Sequence, residues 1–197
     1  INPNNTNQLY LGTDGGVYFS LDKGATWLFI QNLPVGQFYH VSIDNKEPYN
    51  TMGGLQDNYS WIAPSAAPGG VNNSHWLSLN GGDGFWVQPD NTDPDIVYAE
   101  SQGGNANRIN IKTTKAVGIK PQQVAGEEKL RWNWTTPIVT GVAGKKNLYM
   151  AAQYLYKSTN QGKDWKRISP DLTTNDKKKQ EQENSGGLSA DNTSAEN

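Results

Sequence analysis

Ser20-Leu21-Asp22-Lys23-Gly24-Ala25-Thr26-Trp27 returns late in the chain as Ser158-Thr159-Asn160-Gln161-Gly162-Lys163-Asp164-Trp165. The shared pattern is S-x-[DN]-x-G-x-[TD]-W, and the two copies stand 138 residues apart, three times 46. A second echo shows the single period. Val41-Ser42-Ile43-Asp44-Asn45-Lys46-Glu47-Pro48 is matched 46 residues on by Val87-Gln88-Pro89-Asp90-Asn91-Thr92-Asp93-Pro94. A repeat of roughly 40 to 50 residues is the length of a four-stranded propeller blade.

Strand and turn signals around the first copy agree. Gln8–Thr13 reads as a strand, Asp14-Gly15-Gly16 as a turn, Val17–Ser20 as the next strand, and Thr26–Ile30 as a third. The second copy predicts the same order: Asn147–Ala151, Tyr154–Ser158, then Trp165–Ile168. No stretch holds a 3.6-residue apolar period, so helix is expected to be scarce. The fold class is all-β, a β-propeller of about four four-stranded antiparallel blades belonging to a larger or incomplete ring. Most of one blade is expected over 2–29, and further blades over 38–80, 81–121 and 131–170. Residues 1–175 thus form the partial propeller. Residues 176–197 are polar, with the run Lys177-Lys178-Lys179-Gln180-Glu181-Gln182-Glu183. They are expected to be a disordered linker or the start of a further blade.

Composition excludes several functions. The 197 residues carry 17 Lys+Arg against 19 Asp+Glu, a net charge of −2, which is no electrostatic footprint for nucleic acid. No run approaches the roughly 18 apolar residues of a membrane helix. With no Cys, and only His40 and His75 as imidazoles, neither a thiolate nucleophile nor a metal site is expected, and no cofactor. The polar character comes from 22 Asn and 21 Gly, residues suited to tight turns, beside 20 aromatic residues.

The repeated S-x-[DN]-x-G-x-[TD]-W unit resembles the Asp box, or BNR repeat, of sialidase-type and related β-propellers. That resemblance implies a structural role for Ser20, Asp22, Gly24 and Trp27, and for Ser158, Asn160, Gly162 and Trp165. The Asp would accept hydrogen bonds from its own turn and the Trp would pack between sheets. The wider pattern is carried by Gly12–Tyr18, Gly53-Gly54-Leu55-Gln56-Asp57-Asn58, Gly81-Gly82-Asp83-Gly84-Phe85 and Ile168–Thr173. It is similar to large secreted bacterial propeller proteins with sortilin-type domains and to xyloglucanase-type glycoside hydrolases. Those relatives have more blades, so the chain is expected to be a piece of a longer protein whose remaining blades are partners. They also imply a secreted, periplasmic or cell-surface location, although residues 1–5 show no signal peptide.

Turns at the two ends of one strand lie at opposite ends of a blade. The resemblance puts the ligand on the face away from the box, where Asp14, Gln56, Asp57, Asp83, Glu100 and Gln102 are expected. It also matches Asp14 to a catalytic Asp before a Gly pair, although the family motif carries an extra residue there. A glycosidase needs two carboxylates, about 5 Å apart for retention or about 6.5 to 9.5 Å for inversion, and Asp83 is the candidate partner. The competing role of both is an Asp-Gly turn bonded to its own backbone. Sialidase chemistry is not expected, because three Arg would have to converge and only Arg108, Arg131 and Arg167 exist. In Arg131-Trp132-Asn133-Trp134 the two indoles share one face if the segment is a strand, as a sugar platform or as core. Two functions follow: recognition of a polysaccharide or protein ligand, or part of a glycoside hydrolase acting on β-linked polysaccharide.

Overall fold

The computed structural model describes residues 1–13, 15–33, 35–142 and 145–181. The chain divides into two compact units, Ile1–Val35 and Gly36–Asn197. The first is a three-stranded antiparallel sheet of β1 (Leu9–Thr13), β2 (Gly16–Ser20) and β3 (Leu28–Phe29). These are the three strands expected of this partial blade. Ahead of them residues 2–8, rich in Asn, close on themselves: the Asn2 and Gln8 amides donate to the Gln8 and Asn5 carbonyls at 3.0 and 2.9 Å. Asn side chains bonding their own backbone compete with a ladder.

The second unit holds three four-stranded antiparallel sheets, each with its strands in chain order. They are β4 (Phe38–Ile43) to β7 (Leu77–Asn80), β8 (Gly84–Pro89) to β11 (Lys115–Gly118), and β12 (Ile138–Thr140) to β15 (Lys166–Arg167). Between them run β5 (Asn50–Leu55), β6 (Ser60–Pro64), β9 (Ile96–Ser101), β10 (Asn105–Asn110), β13 (Leu148–Ala151) and β14 (Leu155–Ser158). First strands neighbour first strands, β4 beside β8 and β8 beside β12. Successive meander sheets packed face to face through their inner strands are the blades of a β-propeller. Among the described residues the helical content is two short 3-10 turns, Asn73–His75 and Gln102–Gly104.

Two apolar layers hold these blades. Met52, Ile62, Leu79, Val87, Val97, Ala99 and Ile109 fill one, between the second-unit's first and middle sheets. Tyr98, Ala106, Ile119, Ile138, Leu148, Met150 and Tyr156 join the middle sheet to the last. Strand β9 therefore buries both faces, Val97 and Ala99 toward one neighbour, Tyr98 toward the other. Each buried Val, Leu, Ile or Met among them contributes roughly 1.5 to 3 kcal/mol. Glycine sets how near the sheets come. A Cβ on Gly54 would lie 2.1 Å from the Gly84 carbonyl carbon, so these two glycines let the sheets meet backbone to backbone.

The two repeated turns have one hydrogen-bond plan. Ser20 Oγ accepts from the Asp22 and Gly24 amides (3.3 and 2.8 Å) and donates to Asp22 Oδ1 (2.8 Å). Ser158 Oγ does the same with Asn160 and Gly162, at 3.3, 2.9 and 2.9 Å. Asp22 Oδ1 then accepts the Thr26 amide, and Asn160 Oδ1 the Asp164 amide, at 2.8 and 2.9 Å. Gly24 and Gly162 adopt φ of 92° and 79°, a region where a side chain is strained. These bonds, led by the Thr26 hydroxyl, hold the Asp22 carboxyl down at a pKa of about 2. Trp165 packs against the apolar layer between the middle and last sheets, its Nε1 donating to Ile119 O at 2.7 Å. Trp27 instead lies over its own Gly24 and is 40% exposed.

Candidate functional site

Strand β7 connects to β8 through residues 81–83, whereas β11 connects to β12 through residues 119–137. The long connector folds back over the start of β10 and walls a cleft of about 930 Å³. Lys120, Gln122, Gln123, Lys129, Trp132 and Trp134 line it from the connector. Gln102, Asn105 and Asn107 line it from the β9–β10 turn and β10. The connector is tied down without regular structure. Trp134 O accepts the Gly103 amide at 3.1 Å, and the Leu130 amide donates to Gln123 Oε1 at 2.8 Å. Arg131, buried, bonds Glu128, Asp171, Thr173 and Asn175, which pins the connector to residues 171–175.

The two indoles are therefore not alternate residues of a strand. Residues 131–134 are irregular, because their backbone groups pair with turns rather than a ladder. Trp132 is buried: Gly104 backs its ring so closely that a Cβ there would be 2.6 Å away, and Lys120 Nζ lies over it, 5.2 Å from the centroid. Trp134 is half-buried and packs edge-on against Phe85, with centroids 6.3 Å apart. Trp132 is thus a wall of the cleft, and Trp134 the ring with surface to offer.

Gln102 stands where the cleft meets a second group of candidates. It packs against Gly82, whose carbonyl accepts the Tyr59 amide at 3.1 Å. Asp83, buried at the start of β8, accepts the Asp57 amide through Oδ1 at 2.5 Å. Asp57 itself is exposed on the β5–β6 turn with φ of 58°, and Gln56 beside it donates its amide to Gln37 O at 3.0 Å. Thus Gln56, Asp57, Asp83 and Gln102 gather at one end of adjacent blades. Asp14 lies outside the described residues.

Glu100 does not join them at the surface. It is fully buried between the middle and last sheets, on the Tyr98 side of β9. Its Oε1 accepts the Gly104 and Thr136 amides at 3.1 and 3.2 Å, and its Oε2 has no hydrogen-bond partner. Burial pushes its carboxyl up to a pKa of about 9, against the pull of the Thr136, Gly104 and Trp86 amides and of Lys120. At neutral pH it is a protonated post under the connector rather than a ligand group. Sequence reasoning missed Lys120, Gln122, Gln123 and Lys129, because polar residues in a connector look like any solvated loop.

No family model and no curated protein matches the chain. Among solved structures, a GH74 enzyme of Niastella koreensis superposes with a TM-score of 0.45 at 14% identity, over 85% of this chain. The chain spans 28% of that protein's length. Among the described residues no helix is long and apolar enough to cross a membrane.

Proposed function

We propose that the chain is a segment of a secreted Asp-box β-propeller that recognises a glycan, and that the connector cleft is the recognition surface. The cleft itself carries the reading: an open trough of about 930 Å³ whose lining combines Trp134 with the amides of Gln102, Asn105, Asn107 and Gln122. Pyranose rings present an apolar face and a rim of hydroxyls, which aromatic stacking and amide hydrogen bonds match. Loops standing on a rigid sheet scaffold are the usual place for binding residues.

The test is calorimetric titration of the full chain with soluble oligosaccharides, repeated with Trp134→Ala. The expected outcome is saturable binding that the variant weakens by about tenfold or more, the loss typical of a central aromatic anchor. Absence of saturable binding across neutral and acidic oligosaccharides would overturn the glycan reading and leave a protein ligand. Release of reducing ends, abolished by Asp14→Ala, would favour the other function, part of a glycoside hydrolase with Asp14 as a catalytic carboxylate.

A further inference from the structure

One exposed aromatic ring is held in a conformation that its own backbone does not favour. Tyr59, on the turn between β5 and β6, has φ of 68°, in the left-handed region where a bulky side chain is strained. It is nevertheless 49% exposed. The turn is fixed from several sides. The Tyr59 amide donates to Gly82 O at 3.1 Å, and the Tyr59 carbonyl accepts the Leu55 amide at 2.9 Å. Trp61 Nε1 donates to Asn58 O at 2.6 Å, and Asp83 Oδ1 accepts the Asp57 amide. Strained residues persist where their surroundings over-determine them, and they cluster at binding sites. A turn alone would be met better by glycine, and a core role would bury the ring.

The ring is joined to the trough through the β7–β8 connection. A Cβ on Gly81 would lie 3.9 Å from the Tyr59 ring, and the next residue, Gly82, packs against Gln102. Gln102 lines the trough. Adjacent residues of one short connection therefore touch Tyr59 and a wall of the cleft. Neither Gly81 nor Gly82 carries a side chain that would stand between them. Tyr59 thus offers a flat apolar surface, with a hydroxyl at its tip, next to a trough that already holds Trp134.

We infer that Tyr59 is a second stacking platform for the same glycan, beyond the trough, so that the protein selects long chains over short ones. This rests on the glycan reading above. A short oligosaccharide occupies the trough alone, whereas a longer one passes Gln102 and reaches Tyr59. The experiment titrates the full chain with a trisaccharide and a hexasaccharide of a β-glucan, a β-mannan and a galacturonan. Of a glycan that binds, the hexasaccharide should bind about tenfold more tightly, because its second contact is made within one complex. Tyr59→Gly should remove that advantage and leave the trisaccharide's affinity unchanged, whereas Trp134→Ala should weaken both lengths. Glycine takes this φ without strain, so Tyr59→Gly should keep the parent's midpoint in urea. Tyr59→Phe, which keeps the ring, should keep the length advantage. Equal affinity for the two lengths, an advantage that survives Tyr59→Gly, or a midpoint that this variant lowers overturns the inference and leaves the glycan reading standing. Failure of all six oligosaccharides to bind overturns the reading itself, and the inference with it.

Discussion

Glu100 gives the folded state a proton that the unfolded chain does not keep. Its carboxyl titrates at about 9 in the fold and at 4.5 when exposed. Between those values the unfolded state binds fewer protons, so stability falls as pH rises, at up to about 1.4 kcal/mol per pH unit. The contribution is fully present below 4.5 and gone above about 9. From pH 5.5 to 7.5 the expected loss is about 3 kcal/mol, a large share of a domain's net stability. Glu100→Gln keeps an oxygen for the Gly104 and Thr136 amides and removes the titration. The assay is urea unfolding followed by tryptophan fluorescence at steps across that range, for both proteins. The variant should gain on the parent by about 3 kcal/mol between the two ends, because subtraction cancels every other titrating group. Parallel pH curves would refute the reasoning, since they would mean that Glu100 is solvated or ionised in the fold.

The second repeated turn reverses a hydrogen bond. Asp22 Oδ2 accepts the Thr26 hydroxyl at 2.6 Å, whereas Asn160 Nδ2 donates to Asp164 Oδ2 at 2.7 Å. Asn160→Asp alone would set two carboxylates against each other and should cost about 1 kcal/mol, and adding Asp164→Thr should restore the parent midpoint in thermal unfolding. Gly54→Ala should cost about 3 kcal/mol or more, because its Cβ would meet backbone at Gly84 and Phe85 rather than a yielding side chain, measurable as a lowered denaturation midpoint.

What the sequence announced is what short-range chemistry decides. The turns at Ser20–Trp27 and Ser158–Trp165 close with bonds spanning two to four residues, so the motif carries its own geometry. The meander order followed from the same punctuation. Glu100 was illegible for a different reason. Alternation along Val97-Tyr98-Ala99-Glu100 marks two faces, but a strand with sheets on both sides buries both, and no local pattern says so. The indole pair failed as a strand because its backbone partners, such as Gly103 for Trp134, lie some thirty residues away. Of the glycines in Gly53-Gly54 and Gly81–Gly84, which resemble a functional signature, Gly54 and Gly84 meet as packing.

That outcome relocates the functional argument. Where copies of the repeat do the same thing, as Ser20 and Ser158 do, they report how a blade is made. The cleft arises where the copies differ, at a connector that runs through 119–137 after one blade and only 81–83 after the blade before it. Added chain of that length, without its own strands, needs anchors to be ordered. Here Arg131 anchors one end, Glu100 accepts the Thr136 amide beneath it, and Gly104 seats Trp132. Each anchor is buried, and the polar residues left lining the trough are amides and lysines, beside the half-buried Trp134. Buried polar groups spent on holding a loop whose inner surface stays open are hard to account for by stability alone. They fit a loop whose shape is the property being kept.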